Sequence, residues 1–267
     1  MNAAPLVPIL LATLAGGLLS VLAAGLLLLG VPKRWMPRMV GFATGVLLAV
    51  ALLDMLPEAF EADVDARALF TTLLIGLLVF YGLERIALWR HSHPDEEGHD
   101  HHCPAHDHHH HHHNHGMGHN TVFSVMLGDS FHNFVDGVLI AAAFLADPTL
   151  GWSTAFAVIA HEIPQEAGDF ALLRASGMSA QRALLFNGLS SLTAVAGGVL
   201  GYFCLSETRG LLPYVLTIAS ASFLYIAISD LLPLLRREGH RATSVWQTVW
   251  MIGGIALIAV ASLGHAH

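Results

Sequence analysis

The chain is built from long apolar blocks separated by short polar ones, without the polar face that a surface helix of a soluble domain keeps. A membrane-crossing helix needs about 20 mostly apolar residues. Eight stretches meet that measure, at roughly 6–30, 38–60, 68–90, 121–146, 151–174, 182–205, 211–235 and 246–264. The first has no positively charged leader and is too long an apolar run for a cleaved signal peptide. The pattern predicts an all-α integral membrane protein of eight transmembrane helices. Residues 1–90 hold spans 1–3, residues 91–119 form a polar loop, and residues 120–267 hold spans 4–8.

Two spans share a local pattern. Span 2 reads Leu53-Asp54-Met55-Leu56-Pro57 and span 7 reads Ser229-Asp230-Leu231-Leu232-Pro233, each with an aspartate three residues before a proline. The two run in opposite directions through the bilayer, as inverted-topology repeats require. An inverted repeat of spans 1–3 and 6–8 around spans 4 and 5 is therefore expected. Gly41 and Gly45 in span 2, and Gly197, Gly198 and Gly201 in span 6, offer small-residue surfaces for close helix packing.

Composition agrees, with 54% hydrophobic residues, 12% charged and a mean hydropathy of +0.59. The formal charge of −8 is unevenly spread. Residues 91–119 carry five acids, no Lys or Arg, and 14 of the 19 histidines, six of them in an unbroken run from His108 to His113. That segment has the composition of a disordered, metal-collecting linker. Ten of the 12 bases fall at one set of span ends; only Arg67 and Arg209 lie at the other. The positive-inside rule then places both termini outside and the histidine-rich loop in the cytoplasm of a cell (inner) membrane. No basic patch exists to neutralise phosphates, so nucleic-acid binding is excluded. Cys103 and Cys204 fall on opposite sides of the membrane, so no disulfide framework is expected.

Ionisable groups inside the bilayer are costly, about 2.5–3.5 kcal/mol for an aspartate at a helix centre. This chain concentrates them. Span 4 has Asp129, His132, Asn133 and Asp136; span 5 has His161, Glu162, Gln165, Glu166 and Asp169; spans 2 and 7 add Asp54 and Asp230. Seven carboxylates and two imidazoles thus lie at membrane depth, with no Lys or Arg there to pair with them. A divalent metal is the counter-ion that fits. Residues i and i+4 share a helix face, so His132 and Asp136 present a nitrogen and an oxygen together. His161 and Gln165 share one face of span 5, and Glu162 and Glu166 the neighbouring one. Imidazole with carboxylate suits Zn²⁺, Fe²⁺ or Mn²⁺ better than Mg²⁺ or Ca²⁺. Pro164 removes a backbone donor within this cluster and frees the Ala160 carbonyl. His161-Glu162 begins like the zinc-protease motif H-E-x-x-H, but Gln165 stands where the second histidine belongs and Pro164 interrupts the helix.

The segments His132-Asn133-Phe134-Val135-Asp136-Gly137 and His161-Glu162-Ile163-Pro164-Gln165-Glu166-Ala167-Gly168-Asp169 resemble the ZIP family of metal-ion transporters. They match that family's H-N-x-x-D-G and H-E-x-P-H-E-x-G-D signatures, in order on adjacent spans after a histidine-rich loop. The resemblance implies a two-metal site. His132, Asp136, His161 and residue 165 would serve one metal; Asn133, Asp136, Glu162 and residue 165 a second. Glu166 belongs to the same motif, and Asp54 would complete the first site from span 2. It further implies a carrier, with no resident cofactor, that brings divalent metal into the cytosol by sliding one helix bundle against another. Zn²⁺ is the first expectation, with Fe²⁺, Mn²⁺ and Cd²⁺ as alternatives, and a homodimer is a compatible assembly. Gln165 departs from the family's bridging histidine, which predicts one well-occupied site and a shift in selectivity toward oxygen-tolerant metals. The rival from another class is a membrane-embedded metal-dependent hydrolase using the same residues with an activated water.

Overall fold

The computed structural model describes residues 5–30, 35–92, 119–237 and 241–263. The described residues are helical almost throughout, with no strand among them. The helices are α1 (Leu6–Gly30), α2 (Met36–Ala49), α3 (Leu56–Glu61), α4 (Ala66–Ser92), α5 (His119–Ala146) and α6 (Pro148–Ala175), followed by α7 (Ala180–Ser191), α8 (Thr193–Ser206), α9 (Leu212–Tyr225), α10 (Leu232–Arg237) and α11 (Arg241–Leu263). Spans 1, 3, 4, 5 and 8 are single helices. Spans 2, 6 and 7 are each broken into two helical pieces.

Six of these rods are long and apolar enough to cross a membrane by length and composition. The remaining two, α5 and α6, are 28 residues each, about 42 Å at 1.5 Å per residue, and carry the ionisable cluster. The surface is apolar where a soluble protein's would be charged: Leu18 on α1, Phe70 and Leu78 on α4, and Ile252 and Val260 on α11 all lie exposed. The polar side chains Thr44, Asp136, Thr154, Glu166, Thr217 and Ser220 are instead fully enclosed. Lipid tails accept the former, while the latter are shut away from them inside the bundle.

The aspartate–proline echo is a shared piece of backbone. A 14-residue α2 passes through a six-residue π-helical segment, Val50–Met55, into the six-residue α3. A 14-residue α9 passes through a six-residue π-helical segment, Ile226–Leu231, into the six-residue α10. In each segment the aspartate is the fifth residue and the proline is the second of the helix that follows. Proline lacks the N–H that would close a normal turn. The widened turn absorbs this loss, and Leu56 N–H and Leu232 N–H each reach back five residues, to Ala51 and Ala227.

Helix pairing follows the same pseudo-symmetry. α1 packs on α6 as α8 packs on α5, α2 on α11 as α9 on α4, and α2 on α6 as α9 on α5. Exchanging spans 1–3 with 6–8, and 4 with 5, maps each pair onto its counterpart. Two groups result: α1, α5, α6, α7 and α8 pack together, as do α2, α3, α4, α9, α10 and α11. They meet along α2–α6 and α5–α9.

Glycines set the closest crossings. A Cβ on Gly137 would run into the Ala194 carbonyl of α8, and one on Gly197 into the Phe134 carbonyl of α5. On the other side, Gly41 and Gly45 of α2 lie against the backbone of Gln247 and Met251 in α11. The small-residue surfaces expected of spans 2 and 6 are thus helix contacts. Cys204 is a free, exposed thiol; Cys103 and the histidine-rich run fall outside the described residues.

Candidate metal centre

The centre is placed by a tight hairpin. α5 ends at Ala146 and α6 begins at Pro148, leaving Asp147 as the only linking residue. Asp147 Oδ1 accepts from the N–H groups of Thr149 (2.7 Å) and Leu150 (3.0 Å), capping α6, while Pro148 needs no partner at that position. Gly151 lets the Phe144 ring lie against the backbone of α6. With so short a link, residues equally far from Asp147 stand opposite each other. His132 lies 15 residues before it and His161 lies 14 after, about 22 Å along either helix. Asp136 and Glu162 fall within one turn of that level.

His132, Asp136, His161 and Glu162 converge, each with one ligand atom within 4.8 Å of the others. His132 Nε2 lies 3.2 Å from His161 Nε2, 3.5 Å from Asp136 Oδ2 and 3.6 Å from Glu162 Oε1. His161 Nε2 lies 3.2 Å from Asp136 Oδ2 and 3.9 Å from Glu162 Oε1. Ligands 2.0–2.1 Å from a tetrahedral ion stand about 3.3–3.4 Å apart. The observed separations scatter around that edge length.

Electrostatics favour a cation here. His161 Nδ1 lies 3.0 Å from the Ala157 carbonyl, to which its N–H donates, so Nε2 carries the lone pair facing the cluster. The imidazole is held further by Phe223 of α9, edge-on at 6.0 Å between centroids. Both oxygens of Asp136 and of Glu162 are buried without a hydrogen-bond donor. Lone pairs 3.2 Å apart repel unless a proton or a metal lies between them. From 121 to 173 the chain has no Lys or Arg to take that role.

The other expected ligands are placed differently. Asn133 donates through Nδ2 to Asp129 Oδ1 (3.1 Å), and Gln165 Nε2 donates to the same oxygen (3.3 Å). Their amide nitrogens are therefore turned toward Asp129, one helical turn from the four converging groups. Glu166 faces α7, where Ser191 Oγ donates to its Oε1 at 2.7 Å and Asn187 Nδ2 to its backbone carbonyl at 3.0 Å. Asp54 accepts from Ser262 Oγ of α11 (2.5 Å) and is not one of the converging four. The side chain of Asp230 falls outside the described residues. Glu162 stands with His132, Asp136 and His161, although the motif resemblance allots it to a second metal. Ser191 escaped the sequence reading because a serine inside a span bonds its own helix: its Oγ also lies 2.9 Å from the Asn187 carbonyl.

A family model described as "ZIP Zinc transporter" matches residues 5–262. Among curated relatives, "Zinc transporter ZIP10" of Homo sapiens is 32% identical over 194 residues, covering 68% of this chain and 23% of that protein. "Zinc transporter ZIP10" of Danio rerio is 37% identical over 150 residues, 54% of this chain and 18% of that protein. "Zinc transporter ZIP4" of Mus musculus is 37% identical over 144 residues, 53% of this chain and 22% of that protein. The chain spans about a fifth of the length of the curated relatives it matches.

Proposed function

The chain belongs to the ZIP family, and from that premise we propose that it is a divalent-metal carrier, with Zn²⁺ its first cargo, using the His132–Asp136–His161–Glu162 cluster as the cargo site. One observation carries this: two imidazoles and two carboxylates, spaced like the edges of a tetrahedral metal shell, lie together with three of the four buried and no Lys or Arg between residues 121 and 173. Fe²⁺, Mn²⁺ and Cd²⁺ fit the same N₂O₂ donor set. Both termini lie outside, as the placement of ten of the 12 bases supports, and transport runs into the cytosol, as the family resemblance implies. Asn133, Gln165, Glu166 and Asp54 support the path rather than hold the tightest metal.

Zinc uptake into proteoliposomes tests the proposal. Asp136→Ala and His161→Ala should each abolish saturable uptake, with the protein still monodisperse and no hydrolytic product formed. Unchanged uptake in either variant overturns the cargo site. Turnover of an ester or peptide by the wild type without uptake would support a hydrolase instead.

A further inference from the structure

Below the cargo cluster, three buried side chains repeat one arrangement. Asp129 has Oδ1 tied by the amides of Asn133 and Gln165, and its Oδ2 is buried with no partner. Glu166 has Oε1 tied by Ser191, and its Oε2 is likewise buried with none. Asn187 is held by its Nδ2 bond to the Glu166 carbonyl, and its Oδ1 is enclosed without a donor. The three residues come from α5, α6 and α7 and are 5%, 0% and 1% exposed. Each is thus oriented by hydrogen bonding, Asp129 by two bonds and the others by one, and keeps one bare oxygen. Thr193 Oγ1, two residues past Ser191, donates to the Ser130 carbonyl at 2.6 Å, so α5 beside Asp129 adjoins the stretch that holds Glu166. Buried oxygens left this way are costly, the more so when charged, unless something positive meets them.

The hairpin explains the juxtaposition. Asp129 is 18 residues before Asp147 and Glu166 is 19 after it, so the two stand at matching heights, one level beyond the histidines. Glu166 lies one turn past Glu162, a rise of about 6 Å. This level is on the side away from Asp147, toward the start of α5, into which the histidine-rich segment leads. Asp169, half-buried, stands a further turn in the same direction.

We propose that Asp129, Glu166 and Asn187, with Ser191 positioning Glu166, form a second cation station, a transit site that receives the divalent metal leaving the cargo cluster. It rests on the reading of that cluster as the cargo site. The donors are all oxygen and include no imidazole, so the station holds Zn²⁺ more loosely than the N₂O₂ cluster and accepts Mn²⁺ comparatively well. A looser site one turn along lets the metal pass on instead of being trapped. It is distinct from a second metal bridged by residue 165, because Asn133 and Gln165 here act on Asp129 as hydrogen-bond donors.

Mn²⁺ is the probe, with the full chain in nanodiscs. Electron paramagnetic resonance counts the bound ion, and pulsed measurements report whether histidine nitrogen is coordinated. The wild type should show a class of Mn²⁺ without nitrogen coupling. His132→Ala/His161→Ala should keep that class and lose uptake. Asp129→Asn/Glu166→Gln, isosteric changes that preserve the hydrogen-bonding shape, should lose it, with affinity down at least a hundredfold and the maximal uptake rate reduced. Asn187→Ala, which leaves both carboxylates in place, should weaken the class about tenfold. The station is overturned if no nitrogen-free class exists in the wild type, or if it survives Asp129→Asn/Glu166→Gln or Asn187→Ala unchanged. Uptake persisting in His132→Ala/His161→Ala would overturn the cargo cluster instead, whatever the Mn²⁺ spectra show.

Discussion

Gln165 occupies the most consequential single position in the centre, because an imidazole there could serve a metal that an amide serves poorly. Its Nε2 donates to Asp129 Oδ1, so the side chain spends its polar end on a neighbouring carboxylate. Gln165→His replaces that amide with a stronger, softer donor beside His161. The variant should raise Zn²⁺ uptake relative to Mn²⁺ several-fold in two-metal competition. An unchanged or lowered ratio would mean that residue 165 does not reach the transported ion. The fixed tautomer of His161 is a second effect at this scale. The Ala157 carbonyl accepts a hydrogen bond from Nδ1–H, so Nε2 carries the lone pair and is ready to bind without rearrangement.

At the scale of the helix, the α5–α6 hairpin and the α5–α8 crossing together hold the ligands to a fraction of a turn. The one-residue link fixes register along the hairpin. The glycine contacts fix how closely α8 approaches α5 behind it. Gly137 follows Asp136 directly, and a side chain there meets the backbone of Ala194 and Gly198, which cannot move aside as a flexible side chain could. Gly137→Ala should therefore destabilise by about 1–3 kcal/mol, lowering Tm in detergent and weakening metal binding together. Gly253→Ala on α11 is the matched control, since its added Cβ meets nothing within 4 Å. It should leave Tm unchanged, and an equal fall in both variants would deny the crossing its special role.

Across the whole molecule, two packed groups of helices related by an internal exchange meet along α2–α6 and α5–α9, and the His132–Asp136–His161–Glu162 cluster sits in one group beside that seam. Phe223 of α9 touches the His161 ring across it, so relative motion of the two groups would alter the enclosure of the cluster. The histidine-rich segment joins the groups in sequence, between α4 and α5. Its composition suits capture of metal on arrival. Deleting residues 93–118 should leave the uptake rate within about twofold of wild type while reducing the number of metal ions bound per chain. Loss of transport would show instead that the segment is part of the path.

The all-α membrane architecture and the membership of a metal-transporter family were legible in the residue order. Apolar length, uncompensated charge at depth and i, i+4 spacing are local properties that need no fold. The proline-linked echo was legible too, and the matching π-helical segments give it a backbone meaning. What the order of residues left open was which polar side chains meet. His132, Asp136, His161 and Glu162 converge because Asp147 alone links two long helices, whereas Asn133 and Gln165 turn to Asp129 and Asp54 turns to Ser262, 208 residues away. Helical spacing assigns a residue to a face of its own helix. Only the packing of one helix on another decides what that face meets, because a buried polar group takes the partner that tertiary geometry brings within hydrogen-bond reach.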